Sequence, residues 1–179
     1  MRYAALLRGI NVGKSVQVPM KSLKALLESL GCTNVITYLN SGNAIFDASE
    51  NRNDITQKIE SSLEEIFGQF IPTLLKTSDE IIRIKNAIPA EWHNDQTQQT
   101  YIAYLFKEVA RPELIDELPI KRQYLEIIYA HEAIIWNIKK ENYNKSQITK
   151  IVNHHAYNKM TTRNVNTARK LAELCSNSD

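Results

Sequence analysis

A β-hairpin between two helices constrains the fold more than any other feature of this sequence. Residues 34–39 are rich in β-branched and aromatic side chains, residues 40–43 have the composition of a turn, and residues 44–46 return as a second strand. An amphipathic stretch lies on each side of this hairpin, one ending at Gly31 and the other at Gly68. The hairpin strands are therefore adjacent in the chain, and helices flank the pair.

The first part of the chain has the complete order β-α-β-β-α-β. Residues 3–7 are a short apolar run typical of a buried strand, and residues 70–77 supply the last strand. Pro19 suits the first turn of the first helix, and Asn53 or Asp54 is expected to cap the second. This order is that of the ferredoxin-like, or split βαβ, arrangement.

The second part of the chain, residues 78–140, repeats part of this order. A strand at 101–106, a short helix at 112–118 and a hairpin formed by 124–129 and 133–138 give β-α-β-β. No sequence identity between the two parts accompanies the shared order. We therefore expect a second βαββ-like unit.

The remaining segment is rich in Asn, Lys and Thr, and it is predicted to end in a helix over residues 163–174. Thr161 or Thr162 is a suitable N-cap for that helix. The predicted fold class is α+β, with three parts that pack as one unit: a ferredoxin-like subdomain at 1–77, a second α/β subdomain at 78–140, and a C-terminal helical tail at 141–179.

Composition excludes several classes of protein. With 43% hydrophobic and 23% charged residues, the 179-residue chain has enough apolar material for a core and an ordinary polar surface. A net charge of +2 is too small for bulk attraction to nucleic acid or membranes. Cys32 and Cys175 lie far apart without a metal or disulfide spacing, and no segment approaches a signal peptide or membrane span. We expect a soluble, cytoplasmic protein with no membrane partner.

The loop after the first strand resembles a phosphate-binding loop but is one residue too short. A P-loop has four residues between its glycines and begins a helix at its lysine. Here three residues separate Gly9 from Gly13, and an extended segment ending at Pro19 follows Ser15. The sequence therefore does not predict a Walker-type nucleotide site.

The same loop nevertheless contains residues suited to ligand binding. Gly9 and Gly13 allow a positive φ or a close approach by a ligand. Arg8 can form paired hydrogen bonds with a carboxylate or phosphate, and Asn11 offers a donor and an acceptor. A plain connection from strand to helix explains these residues as well, so both interpretations stay open.

Asn40, Ser41 and Asn43 form the second candidate segment. In a ferredoxin-like order, the hairpin would place these polar side chains near one rim of the sheet. Asn and Ser side chains also stabilise turns by bonding their own backbone, which is enough to explain their presence here.

The third candidate segment comprises Thr162, Arg163 and Asn164. At the start of the predicted C-terminal helix, free N–H groups and Arg163 in the first turn would suit an anion. A capped helix start with polar surface residues explains the same pattern. The positive charge of Arg163 in a first turn is unfavourable because it opposes the helix dipole. This penalty suggests that Arg163 is paired with a carboxylate or a ligand.

Catalytic and metal-binding patterns are missing from the sequence. Adjacent residues on a helix point about 100° apart, so His154 and His155 would rarely bind one ion together, and no second His or Cys cluster supports them; no metal site is expected. The candidate segments contain little that titrates near neutral pH, which favours binding over acid–base chemistry. Catalysis stays open, and no catalytic residue or cofactor is assigned.

The three candidate segments together resemble the bacterial family DUF1697. The resemblance extends over residues 6–13, 18–20 with Leu23, 37–38 with 41–43, and 162–164 with 166–167 and 170–171. The chain departs from the family pattern at Lys14, where a second glycine is usual, and at Val165, where a Trp often follows Arg-Asn. The resemblance implies an α+β protein with ferredoxin-like subdomains, and it implies no activity.

The leading functional hypothesis is a small anionic or polar ligand, such as a nucleotide or phosphate compound, bound where the three segments converge. The alternative is an RNA or single-stranded nucleic-acid module in which Tyr38 and Phe46 stack on bases. Five basic residues would then contact phosphates: Lys145, Lys150, Lys159, Arg163 and Arg169. A third reading is a module that dimerises through its sheet edges. The oligomeric state is not predicted.

Overall fold

The apolar run near the N-terminus forms the first strand of an antiparallel sheet. The structure is a computed structural model, and it describes residues 1–176. The chain divides into two units. The first comprises Met1–Ile82 together with the C-terminal residues from Leu171, and the second comprises Arg83–Lys170. Both crossings between the units fall inside helices.

Among residues 1–82, four strands form one antiparallel sheet in the order β2-β3-β1-β4. These strands are β1 (Arg2–Leu7), β2 (Thr33–Tyr38), β3 (Asn43–Asp47) and β4 (Thr73–Thr77). Helix α1 (Met20–Ser29) connects β1 to β2, and helix α2 (Arg52–Phe67) connects β3 to β4. The predicted order of elements is therefore present.

The core of the first unit lies between one face of this sheet and the apolar faces of the two helices. Alternation along β1 directs Tyr3, Ala5 and Leu7 to this face, where Phe46 of β3 joins them. The helices contribute residues at helical spacing: Leu23, Leu26, Leu27, Ile55, Ile59 and Leu63. Burial of these two patterns against each other positions the loops at the ends of the strands.

The cap of helix α2 lies two residues before Asn53 and three before Asp54, the two predicted caps. Asn51 is the N-cap, and its Oδ1 accepts a hydrogen bond from the Asp54 N–H at 3.1 Å. Asp54 therefore lies within the first turn, where its negative charge favours the helix dipole. The helix ends at Gly68, as the sequence predicts, and Gly68 adopts a left-handed conformation (φ 69°).

Helix α3 (Ser78–Asn86) leads into the second unit, whose four strands among residues 83–170 form another antiparallel sheet in the order β6-β7-β5-β8. These strands are β5 (Gln98–Leu105), β6 (Glu126–Ala130), β7 (Ala133–Lys139) and β8 (Met160–Asn164). Short helices fill the connections: α4 (Leu114–Glu117), α5 (Tyr143–Ser146) and five 3₁₀ segments at Lys107–Val109, Arg122–Tyr124, Lys140–Asn142, Ile148–Asn153 and His155–Lys159.

The two sheets share one strand order. In each, the first strand of the unit lies between the third and the fourth, and the second strand lies at an edge beside the third. The β-α-β-β repeat expected from the sequence is therefore visible as a repeat of topology. Within residues 1–176, the fold is mixed α+β with two antiparallel four-stranded sheets.

The C-terminal segment differs from the prediction at its start. Residues 160–164 form strand β8, and helix α6 (Val165–Ser176) begins only after it. The helix predicted from residue 163 was wrong at this end because β5 provides a neighbouring strand to pair with, Ile102 opposite Arg163. Among the helices described over residues 1–176, none has the length and apolar character needed to cross a membrane.

Candidate functional site

The loop over residues 8–15 has a backbone of unusual conformation. Gly9, Asn11 and Gly13 all have positive φ, at 71°, 56° and 54°. The loop closes on itself, since the Ser15 N–H donates to the Val12 carbonyl oxygen at 2.9 Å and the Val12 N–H donates to Ser15 Oγ at 2.8 Å. Gly9 and Gly13 are exposed, and their N–H groups donate to no residue in the described part of the chain.

The side chain of Asn11 joins this loop to the hairpin turn. Its Nδ2 donates to the carbonyl oxygens of Val18, at 2.9 Å, and Asn40, at 2.7 Å. Its Oδ1 accepts from the Val18 N–H at 2.7 Å. The first two predicted segments therefore lie together, and the Asn11 amide is used in holding them rather than offered to a ligand.

The hairpin turn over residues 40–43 is held by its own side chains. Asn43 is fully buried, and its Nδ2 donates to the Tyr38 carbonyl oxygen and to Ser41 Oγ, both at 2.9 Å. Gly42 accepts a hydrogen bond from the Leu7 N–H at 2.8 Å, which ties the turn to the end of β1. Ser41 and Asn43 thus shape the turn, whereas Asn40 is exposed.

Basic groups flank this arrangement. Arg8 lies just beyond β1, half-buried, and its backbone N–H donates to the Pro72 carbonyl oxygen at 2.9 Å. Lys14 is exposed within the loop. We call the surface formed by residues 8–15 and 40–43 the loop–turn rim.

The third predicted segment lies in the second unit, on a strand rather than a helix. Arg163 is only 8% exposed, and its Nη1 donates to Thr161 Oγ1 and to the Thr162 carbonyl oxygen, both at 2.9 Å. Burial lowers the pKa of Arg163 to about 10, against a smaller opposing effect of Tyr104. Contrary to the expectation from the sequence, Arg163 does not lie in the first turn of the helix, because it belongs to β8 and Asn164 after it caps the helix.

Asn164 performs this capping with its side chain. Its Oδ1 accepts the Thr167 N–H at 2.9 Å, the usual N-cap geometry at the start of α6. The sequence signal for this boundary was Asn164 itself, because asparagine is a preferred N-cap residue. A role for Thr162, Arg163 and Asn164 in ligand binding stays a prediction.

Several of the residues named for nucleic-acid binding are buried or already bonded within the protein, whereas Lys145 and Lys150 are exposed. Phe46 is fully buried and cannot stack on a base. Lys159 Nζ lies 2.9 Å from a Glu108 carboxylate oxygen, and Arg169 Nη2 donates to the Trp92 carbonyl oxygen at 3.0 Å. With Arg163 buried as well, these side chains give the nucleic-acid hypothesis no support.

A cleft in the second unit was not predicted. It has a volume of about 600 Å³, within the range typical of small-molecule sites. Its lining is mostly polar: Glu91, Trp92, Gln96, Thr97, Gln98, Glu126, Asn137, Lys139, Lys140 and Glu141. The Trp92 Nε1–H donates to Glu126 Oε2 at 3.2 Å across this lining. Residues 90–99 are mostly polar in sequence, but no local pattern pairs them with β6 and β7.

One group among the described residues could hold a metal ion. A ligand atom of each of Glu117, His154 and His155 lies within 4.8 Å of the others. Hydrogen bonding from Arg111 lowers the pKa of the Glu117 carboxyl, so this group is ionised at neutral pH. Burial, together with the charge of His155, lowers the pKa of His154. The sequence signal was the His-His pair, and the expectation against it assumed helical geometry, whereas the backbone at His154 is extended between two 3₁₀ segments.

Comparisons with known proteins agree with this architecture. The chain is similar to the solved structure of the conserved bacterial protein SP0830 from Streptococcus pneumoniae, with a TM-score of 0.82 and 25% sequence identity. That similarity covers 98% of each chain. No curated protein matches the sequence. A family model described as "protein of unknown function (DUF1697)" matches residues 1–136. The chain therefore belongs to the DUF1697 family, as its sequence motifs predict.

Proposed function

We propose that the protein binds a small anionic ligand, of the phosphate or carboxylate class, at the loop–turn rim. The observation that carries this proposal is the bond between Asn11 Nδ2 and the Asn40 carbonyl oxygen, which fixes an exposed glycine loop against the hairpin turn. A loop fixed in this way offers backbone groups to a ligand without an ordering cost at binding.

The backbone of the rim has the chemistry of an anion site. Positive φ at Gly9, Asn11 and Gly13 alternates with negative φ at the residues between them. Successive N–H groups in turns of this kind form concavities that bind anions. The N–H groups of Gly9 and Gly13 are exposed and donate to no described residue, so they are available for this role.

The charge around the rim supports the same conclusion. Residues 1–27 contain five basic side chains and no acidic one, and residues 40–43 contain no charged side chain. Arg8 and Lys14 of this set belong to the rim. A local excess of positive charge raises the concentration of an anionic ligand near its site, although the net charge of the whole chain is small.

The rim favours binding over catalysis. Its side chains are guanidinium, ammonium, amide and hydroxyl groups, none of which exchanges a proton readily near neutral pH. Ser15 Oγ already accepts a hydrogen bond within the loop. We therefore propose recognition of an anion as the activity of this surface.

A ligand screen on matched variants tests the proposal. Thermal unfolding would be followed with phosphate, nucleotides, sugar phosphates and dicarboxylates, for the wild type, Arg8→Ala and Lys24→Ala. Lys24→Ala is the control because it also removes one positive charge, from helix α1, whose residues are not part of the rim. We expect a ligand that raises the melting temperature of the wild type and of Lys24→Ala, but raises that of Arg8→Ala much less. Equal shifts in all three proteins would contradict binding at the rim.

The cleft of the second unit is a second candidate for a small polar ligand. Its volume of about 600 Å³ carries this alternative, and its three glutamates and two lysines suit a ligand with both charges. The same ligand screen, extended to the cleft variants Glu126→Gln and Lys139→Ala, shows which of the two sites a ligand occupies. A ligand whose effect is lost in these two variants and kept in Arg8→Ala would belong to the cleft.

We also infer that the first unit is ferredoxin-like. The element order β-α-β-β-α-β and the antiparallel strand order β2-β3-β1-β4 support this assignment. For the compartment, we propose the cytoplasm. The free, buried thiols of Cys32 and Cys175 favour it, since disulfides are rare in reducing compartments.

A further inference from the structure

We propose that Glu117, His154 and His155 form a binding site for a divalent transition-metal ion, which we call the His–Glu site. The three side chains come from two separate parts of the second unit, at the end of α4 and at the start of a 3₁₀ segment. Their ligand atoms lie within 4.8 Å of one another. A carboxylate and two imidazoles are a common ligand set of zinc and other transition metals.

The backbone at His154 is what allows the two imidazoles to act together. His154 is extended (φ −81°, ψ 141°) and lies between the 3₁₀ segments Ile148–Asn153 and His155–Lys159. On a continuous helix, neighbouring side chains would point about 100° apart. The break instead brings the two rings close, with centroids 4.2 Å apart and planes inclined by 38°.

This ring separation is close to what one shared ion requires. Two imidazoles bound at about 2.1 Å, with an angle of about 90–110° at the metal, have ring centres about 4.6–5.3 Å apart. The observed 4.2 Å between His154 and His155 is shorter than this range, by about 0.4 Å at its lower limit and about 1.1 Å at its upper limit. Glu117 and His155 are exposed, so small side-chain torsions can close the set around an ion.

Existing hydrogen bonds at Glu117 and at His154 compete with the ion. Arg111 donates to both carboxylate oxygens of Glu117, with Nη2 at 2.9 Å from Oε2. Nδ1 of His154 accepts from the Ala156 N–H at 3.2 Å. Ligation through His154 Nε2 would place the remaining proton on Nδ1 and break the hydrogen bond from the Ala156 N–H. Removal of Arg111 should therefore strengthen metal binding, because it frees the carboxylate and removes a neighbouring positive charge.

The ligand set also selects the type of ion. Imidazole suits Zn²⁺, Co²⁺, Ni²⁺ and Cu²⁺, whereas Mg²⁺ and Ca²⁺ prefer sites made of oxygen atoms. Three protein ligands leave at least one coordination position for water. We expect a site that takes Co²⁺ or Zn²⁺ and ignores Mg²⁺.

Metal titration of the untagged full-length protein tests the proposal. Co²⁺ binding would be followed by visible absorption and by calorimetry, with Zn²⁺ as competitor and Mg²⁺ as a negative control. We expect one Co²⁺ per chain. We also expect a loss of affinity of about tenfold or more in His154→Ala, His155→Ala and Glu117→Gln. In Arg111→Ala we expect tighter binding, with a stronger Co²⁺ absorption per chain at low metal concentration.

His131→Ala is the matched control, because His131 is an exposed histidine of the same unit outside the His–Glu site. Its affinity for Co²⁺ should equal that of the wild type. The proposal is overturned if His131→Ala weakens binding as much as His155→Ala, or if Glu117→Gln leaves both the affinity and the Co²⁺ spectrum unchanged. Circular dichroism of each variant shows whether it is folded. Since Glu117 and His155 are exposed, these two variants keep the test valid even if His154→Ala is destabilised.

Discussion

At the scale of single residues, Gly42 is the position of the loop–turn rim where a side chain is least tolerated. It adopts a left-handed conformation (φ 77°). A Cβ atom at this position would lie 2.7 Å from Cδ1 of Ile10 and 2.8 Å from Cβ of Leu7. Gly31 has a similar φ of 83°, but a Cβ there would meet no heavy atom within 4 Å. Comparing substitutions at the two glycines therefore distinguishes the cost of backbone strain from the cost of steric contact.

We predict that Gly42→Ala lowers the free energy of unfolding by about 2–4 kcal/mol, since it adds overpacking to backbone strain. Gly31→Ala carries the backbone strain alone and should cost about 1–2 kcal/mol. Urea denaturation of both variants measures the difference. Similar losses in the two would show that the contacts with Ile10 and Leu7 relax at little cost.

Asn11 shows the limit of inference from residue type. Its donor and acceptor suggest a ligand contact in the sequence, and the same groups make three hydrogen bonds within the first unit. An amide serves either purpose equally well. Whether the amide binds a ligand or the protein itself depends on how close Asn11 lies to Val18 and Asn40. The residue type gives no information about these distances.

At the scale of elements, the β6–β7 hairpin has a turn with unfavourable residues. Ala130 pairs with Ala133, so the loop has two residues, His131 and Glu132. Both have positive φ, at 50° and 63°, which is the pattern of a type I′ turn. Asn-Gly is the preferred pair in such a turn because each tolerates the left-handed conformation.

We predict that replacing His131-Glu132 by Asn-Gly raises the free energy of unfolding by about 1 kcal/mol, because it relieves left-handed strain. His131→Ala is the control, since alanine keeps the Cβ and should bring no gain. Thermal and urea unfolding measure both. The hydrogen bond from the Leu105 N–H to the carbonyl oxygen of residue 132 belongs to the backbone and is kept. A lower stability of the Asn-Gly variant would mean that the side chain of Glu132 stabilises the turn.

Element prediction succeeded where periodicity was strong and failed where a segment was short and polar. Helix α2 and the first hairpin follow from regular apolar spacing. Strand β8 was missed because Met160–Asn164 contains three polar residues in a row before Asn164, and this pattern equally suits a helix cap. Pairing with β5 decided the outcome, and such pairing is not visible in a local pattern.

At the scale of the whole molecule, the reactivity of the two cysteines measures how often the protein opens. Cys32 and Cys175 are buried free thiols, with 4% and 3% of their surface exposed. Burial raises the pKa of both above the ordinary value of 9.0, with a further increase at Cys32 from the charge of Glu50. Neutral, buried thiols react slowly with thiol reagents.

We predict that both thiols react with a disulfide reagent at pH 8 at least about a hundredfold more slowly in the native protein than in urea, because reaction requires opening. The stability contributed by the neutral thiols is present below the unfolded pKa of about 9 and is lost as the pH rises above it. The decrease in the free energy of unfolding between pH 8 and pH 10 should therefore be smaller in the double variant Cys32→Ala and Cys175→Ala. Rapid labelling of one cysteine in the folded protein would reveal local opening at that residue.

The sequence by itself determined the helices α1 and α2, the two hairpins and the family. These depend on apolar spacing, turn residues and loop motifs, all of which are local properties of the chain. Only the tertiary structure decided that Asn11 meets Asn40 and that Glu117 lies beside His154. Those pairs are distant in sequence, and their meeting depends on how strands pair and side chains pack, which follows from the free energy of the whole fold rather than of any one segment.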